Sequence, residues 1–253
     1  MIALPNHLCH DYAALMARWR ELARRVGMKV NELCRVEGYR VIWLETPAAR
    51  AGERSVYLSA GVHGDEPGAT SGLLKWAEAN EAVLKAGAFL IFPCLNPVGL
   101  VANTRVDGRG LDLNRRFHVE DDPVCGAWRK VMQGRRVKVG VCLHEDYDAQ
   151  GIYVYELSWL PKGWSGEVLR RIATQRLPVE GRRRIEGRAA EGGVIQRRRI
   201  PEGLPGMPEA IALYDMGCGV SLTFETPSEF ALDYRVKAQA AFLKVVVGMA
   251  RGW

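Results

Sequence analysis

No stretch of the 253-residue chain stays apolar for the roughly 20 residues that a membrane-spanning helix needs, which argues against an integral membrane protein of the helical type. The N-terminus, Met1-Ile2-Ala3-Leu4-Pro5-Asn6-His7, has no basic segment followed by an apolar one, so a cytoplasmic protein without a secretory signal is expected. No CxxC pair occurs. The six cysteines (Cys9, Cys34, Cys94, Cys125, Cys142 and Cys218) are scattered, several of them in apolar runs such as 89–95 and 137–143. Buried free thiols in a reducing compartment are expected, because a chain of this length needs no disulfide framework. Internal repeats, low-complexity linkers and breaks in composition are also lacking, so one domain spanning 1–253 is expected.

What is present is ordinary globular composition: 48% hydrophobic and 25% charged residues. The net charge of +6 is concentrated in one place, since residues 182–199 hold seven arginines against Glu186 and Glu191. The plain expectation for this segment is a solvated, arginine-rich hairpin. Basic segments also attract acidic ligands, and an acidic peptide partner stays open. No aromatic residue interleaves the arginines, so nucleic acid is not an expected partner.

Residues 11–26 carry apolar side chains at helical spacing, with Asp11 placed to cap the start and Gly27 the end. Segments 39–46, 54–62, 88–95, 137–143, 152–157 and 219–225 read as strands. Segments 67–85, 124–133, 165–176 and 228–250 read as helices, the last with Ser228 as its cap. Residues 178–210, rich in Pro, Gly and Arg, read as loop. The alternation predicts an α/β protein, with a single mixed, largely parallel twisted sheet flanked by helices on both faces. In such sheets ligand sites collect at the carboxyl ends of strands.

The chemically suggestive residues fall at those ends. In Gly61-Val62-His63-Gly64-Asp65-Glu66-Pro67-Gly68 a strand gives way to a turn entering a helix, and His63 and Glu66 stand three apart. Imidazole nitrogen and carboxylate oxygen both suit Zn²⁺, and a tight turn lets both reach one ion. His144, at the end of a buried strand, is the best third ligand. Two His and one Glu leave a fourth position open, as a catalytic zinc requires. A His-x-x-Glu pair by itself is more often a surface turn, and a lone strand-end His more often structural. Four further pieces follow in order: Asn96-Pro97-Val98-Gly99, Asn103-Thr104-Arg105, Asp112-Leu113-Asn114-Arg115-Arg116-Phe117, and Thr223-Phe224-Glu225. An Asn–Arg pair can bind a carboxylate, and a separate arginine can steady a carbonyl oxygen. A Glu beside activated water can serve as proton acceptor.

This ordered set, over residues 54–245, resembles the zinc carboxypeptidase family, the carboxypeptidase A-like metallopeptidases, in a compact bacterial form. The resemblance implies one Zn²⁺ ion held by His63, Glu66 and His144. It implies Arg105 at the scissile carbonyl, Asn114 and Arg115 on the terminal carboxylate of the substrate, and Glu225 as general base. The activity implied is cleavage of an amide bond next to a free carboxylate, on a murein-derived or other small peptide. Val98 and Arg116 stand where the family usually has Asp and Asn. The substrate-capping tyrosine of the family has no counterpart in 185–210, and Tyr214 reads as a core residue. The alternative is an N-acyl-amino-acid deacylase of the succinylglutamate desuccinylase/aspartoacylase type, which shares these residues. Such deacylases usually add a β-rich domain after the catalytic Glu, whereas the 28 residues after Glu225 read as one helix, an expectation on the side of the peptidase. Substrate side-chain preference is expected to be set within 208–214, where Glu209, or Asp215 just beyond, could favour basic groups.

Overall fold

The computed structural model describes residues 6–160 and 163–252. Of the N-terminal stretch read for a secretory signal, residues 1–5 lie outside the described residues. The strands are β1 (Lys29–Val36), β2 (Tyr39–Glu45), β3 (Ser55–Ser59), β4 (Phe89–Phe92), β5 (Val137–Asp146), β6 (Tyr153–Ser158), β7 (Arg184–Ile185), β8 (Arg188–Ala189), β9 (Val194–Arg197) and β10 (Val220–Pro227). The helices are α1 (Tyr12–Val26), α2 (Pro47–Arg50), α3 (Pro67–Ala79), α4 (Glu81–Ala86), α5 (Pro97–Ala102), α6 (Cys125–Met132), α7 (Ser165–Ile172), α8 (Glu209–Asp215) and α9 (Leu232–Arg251).

Eight strands form one mixed sheet in the order β1-β2-β4-β3-β5-β10-β6-β9. Its centre, β4-β3-β5-β10, is parallel, as is the edge pair β6-β9, while β1, β2 and β6 run antiparallel to a neighbour. Strands buried on both faces explain the unbroken apolar runs of β4 and β5. Alternation along the strands splits the core in two. Val56, Leu58, Val141, Leu222 and Phe224 pack against α1, α3, α7 and α9; Tyr57, Phe92 and Cys142 pack against α6 and α8. No helix among the described residues is long and apolar enough to cross a membrane. Five of the six free cysteines are buried, Cys34 being half-buried.

The first helix forms as its sequence dictates: the Asp11 side chain accepts from Ala14 N at 2.9 Å, and Gly27 closes the end at φ 76°. Elsewhere tertiary context changes the reading. The segment 67–85 is two helices, because the chain breaks at Asn80 (φ −131°, ψ 37°), which begins α4. The last helix starts at Leu232 rather than at Ser228, whose N–H is instead bonded to Asp146 O at 3.0 Å. β1 and β9 extend the sheet at its two edges, and the supposed loop 178–210 contains the β7–β8 hairpin, β9 and the start of α8.

Candidate metal centre and substrate cleft

Three parallel-strand ends converge on one point. β3 ends four residues before His63, which sits in the turn leading into α3; Glu66 occupies the N-cap of that helix with Pro67 at its first position. His144 lies near the end of β5, and Glu225 is its partner in register on β10. The turn at 63–66 is seated by the Asn96-Pro97-Val98-Gly99 segment. Asn96 caps α5 by accepting from Gly99 N at 2.9 Å, and Gly64 N donates to Thr104 O at 3.0 Å. A Cβ at Gly64 would lie 1.9 Å from the carbonyl carbon of Gly99, so only glycine permits this approach.

His63, Glu66 and His144 are all buried, and their ligand atoms lie within 4.8 Å of one another. His63 Nδ1 is 2.6 Å from Glu66 Oε1, and His144 Nδ1 is 3.0 Å from Glu66 Oε2. The other ring nitrogen of His63, Nε2, meets Asp112 Oδ1 at 3.1 Å, which fixes the ring and leaves Nδ1 facing inward. Asp112, two residues before Asn114 in the quoted motif, was given no role from sequence. A carboxylate close to a ligand-bearing motif is the signal that points to it. Glu66 Oε2 is buried, and its 3.0 Å approach to His144 Nδ1 lacks hydrogen-bond geometry, so the oxygen is left unsatisfied. Two imidazole nitrogens and a carboxylate with an unsatisfied oxygen are a donor set that suits zinc.

The electrostatics follow. Burial pushes the Glu66 carboxyl up, but His63 and His144 outweigh it and hold it well below the usual range. Burial lowers the His63 imidazole, yet Glu66 and Asp112 beside it bring it to about 9. Glu225 is different. Burial, only partly offset by His144 and reinforced by Glu66, holds its carboxyl well above the usual range, and its Oε2 has no hydrogen-bond partner.

A cleft of about 310 Å³ opens over this cluster, lined by His63, Glu66, Arg105, Asn114, Arg115 and Glu225 among others. Arg105 is held by Asp112 at 3.1 Å and lies 3.7 Å from Glu66. Asn114 Oδ1 accepts from Glu209 N at 2.9 Å, which leaves its amide nitrogen free to face the cleft. Arg115 is locked from behind: Met207 N donates to its carbonyl oxygen at 3.0 Å, and Phe117 N donates to Met207 O at 3.1 Å. Arg116 turns away to Asp122 at 2.8 Å, which accounts for an arginine where the resembled family usually has Asn.

Around Glu225 the cleft has several lining residues that sequence reasoning did not single out. Ser221, Thr223 and Glu225 alternate along β10, Tyr153, Tyr155 and Leu157 along β6, and Ile195 and Arg197 along β9, so one sheet face forms the floor. The arginine-rich segment is partly a surface hairpin, as expected, but Arg188 and Arg197 line the cleft. Neither makes an ion pair within 4.0 Å among the described residues. Segment 208–214 does contribute to the cleft, but the suggestion for Glu209 and Asp215 is corrected. Glu209 is buried and accepts from the Tyr57 hydroxyl, because burial favours a hydrogen-bonded carboxyl over a solvent-facing one. Asp215 is exposed and does not line the cleft; Pro208, Ala210 and Ile211 are the lining residues there. Tyr214 is a core residue, stacked on Trp159 at 4.8 Å.

Comparison with known proteins bears on the fold and on one stretch of the sequence. A model of the succinylglutamate desuccinylase/aspartoacylase catalytic domain matches residues 52–137, the stretch that holds His63, Glu66, Arg105, Asn114 and Arg115. A candidate metallopeptidase from Shewanella amazonensis superposes with a TM-score of 0.83 at 22% identity, over 95% of this chain and 94% of that one. The chain is zinc carboxypeptidase-like in its fold. A metallo-carboxypeptidase from Burkholderia cenocepacia shares that fold at a TM-score of 0.72 and 19% identity, covering 95% of this chain and 69% of its own. A murein-tripeptide amidase from Escherichia coli O157 does so at 0.56 and 18%, over 88% and 92%. Among curated protein sequences none matches.

Proposed function

We propose that the chain is a zinc-dependent hydrolase, working as one catalytic domain over residues 1–253, that cleaves an amide bond next to a free carboxylate on a small or murein-derived peptide. The observation that carries this reading is the Glu225 carboxyl. It is buried, it has an oxygen without a partner, and it stands in register with His144 beside the three-ligand cluster. A strand-end carboxyl kept in that state has no structural role to explain it.

A zinc ion held by His63, Glu66 and His144 supplies Lewis acidity toward a carbonyl oxygen and makes water a stronger acid. Glu225 takes a proton from the attacking water and returns it to the departing amine as the C–N bond breaks. Arg105, on the cleft wall, donates to the carbonyl oxygen as negative charge builds on it. Arg115 and the amide of Asn114 bind the substrate's terminal carboxylate and set its register against the reacting centre. Asp112 orients both His63 and Arg105.

The test is zinc content together with hydrolysis of a panel of C-terminal dipeptides and N-acyl-amino acids. Glu225→Gln is expected to keep zinc and lose about 10²–10⁴-fold in kcat. Full activity in that variant overturns the mechanism.

A second reading is favoured by the match to the desuccinylase/aspartoacylase model and by Arg188 and Arg197 in the cleft. On that reading the chain is an N-acyl-amino-acid deacylase. Release of an acyl group, with C-terminal dipeptides untouched, selects it.

A further inference from the structure

Behind the metal plane, on the opposite face of the sheet, lies a buried polar layer that the proposed chemistry does not use. Side chains alternate along a strand. Where His144 and Glu225 face the cleft, their successors Glu145 and Thr226, again partners in register, face α3 and α9. The Glu145 side chain is fully buried. Its Oε2 accepts from Gly68 N at 2.8 Å and from Arg235 at 2.7 Å, and its Oε1 accepts from the Thr226 hydroxyl at 3.1 Å. Gln239, also fully buried, donates from Nε2 to His144 O at 2.7 Å and to the Thr226 hydroxyl at 3.0 Å.

Each contact ends on a carrier of the site. Gly68 is two residues past Glu66, in the first turn of α3. Thr226 follows Glu225, and His144 is held by its own carbonyl. The helices make room for this layer at two points. A Cβ at Gly68 would lie 2.2 Å from Glu145 Oε1, and one at Gly72 would lie 2.3 Å from Gln239 Cβ. Four residues apart, these glycines share a face of α3.

For stability alone the layer is a poor choice. A buried ion pair loses the hydration of both charges, and well-packed apolar residues serve a core as well or better. Gln239 Oε1 is moreover left without a partner. What the layer does provide is directional bonding among four elements, β5, β10, α3 and α9, that apolar packing would let slide past one another.

We propose that Glu145, Arg235 and Gln239 are positioning residues, which lock the ends of β5 and β10 and the first turn of α3 in the one arrangement that brings His63, Glu66, His144 and Glu225 around a single ion. The inference rests on the zinc-hydrolase reading above.

The experiment uses the whole chain carrying Glu145→Gln, Arg235→Gln or Gln239→Met, with Arg235→Lys as the conservative variant. Four quantities are measured well below each variant's Tm. They are the zinc Kd by competition with a chromophoric chelator, the visible absorption spectrum of the cobalt-loaded protein, and kcat and KM on whichever substrate the wild type cleaves. Weakening of zinc binding by about 10–100-fold, the usual effect of losing a partner that holds a metal ligand, is expected in the first three variants. An altered cobalt spectrum and a fall in kcat at steady KM are expected with it, and Arg235→Lys should recover most of the loss. Variants that lose Tm yet keep the wild-type zinc Kd and cobalt spectrum overturn the proposal, because the layer would then be structural only. Gln239→Met keeps the charge pair intact and carries the test if the other two do not fold. A wild type that binds no zinc defeats the underlying reading, whereas a zinc-binding wild type with unmoved variants defeats this inference alone.

Discussion

Asp122 is the hub behind the loop that carries Asn114 and Arg115. Its Oδ2 meets Arg109 and Arg116, each at 2.8 Å, and its Oδ1 accepts from Val124 N and Cys125 N, each at 3.0 Å. It therefore ties the loop that carries Asn114 and Arg115 to the start of α6. Burial pushes its carboxyl up, but Arg116, the Cys125 N–H and Arg109 outweigh it and bring it from 3.8 down to about 2. At about 1.4 kcal/mol per pH unit, the charged state contributes about 2 kcal/mol to folding at neutral pH. The sign follows from the lowered folded value. The contribution is fully present above about 3.8 and is lost as pH falls through about 2. Asp122→Asn keeps the shape and removes the charge. It should lower stability at pH 7 by about 2 kcal/mol, or Tm by about 4–8 °C for a chain of this size. The gap from wild type should persist to pH 5 and narrow to about 1 kcal/mol at pH 3, where Asp122 is largely protonated in the unfolded chain and still largely ionised in the folded one. Urea titrations of both proteins at pH 7, 5 and 3 read this directly. A gap below about 0.5 kcal/mol at pH 7, or one unchanged at pH 3, refutes the electrostatic reasoning.

Zinc uptake should release protons. The His63 imidazole, at about 9 without metal, is protonated at pH 7 and must lose that proton to become a ligand, so affinity falls as pH falls below about 9. Calorimetric titration in two buffers of different ionisation enthalpy should give at least one proton per zinc at pH 7, and none released refutes the assignment of His63. Arg197→Ala and Arg188→Ala should raise KM about 10–100-fold for substrates with a second acidic group, as loss of a charge-assisted hydrogen bond does, and leave neutral substrates nearly unchanged. Equal effects on both substrate types would remove these arginines from the cleft's recognition of charge.

Motif order made the site legible before the fold was known. His63 and Glu66 are joined by one turn, so local spacing alone brings them near each other. His144 and Glu225 were reachable because strand-end positions in an α/β sheet share one edge, and the register of β5 with β10 puts them side by side. The burial of Glu209 was not legible in the sequence. A glutamate near a specificity segment looks like a substrate reader until burial against the Tyr57 hydroxyl shows it to be part of the core.

The sequence by itself determined the α/β class, the helix capped by Asp11 and Gly27, and the identity of the residues fit to bind a metal, because these depend on periodicity, capping chemistry and donor type. Only the tertiary structure decided that Arg188 and Arg197 reach the cleft, that β1 and β9 extend the sheet, and that Glu145, Arg235 and Gln239 brace the site from behind. Those features arise from contacts between residues up to 95 positions apart, such as Gln239 with His144, and no local pattern of side chains encodes which distant backbone group a buried amide will meet.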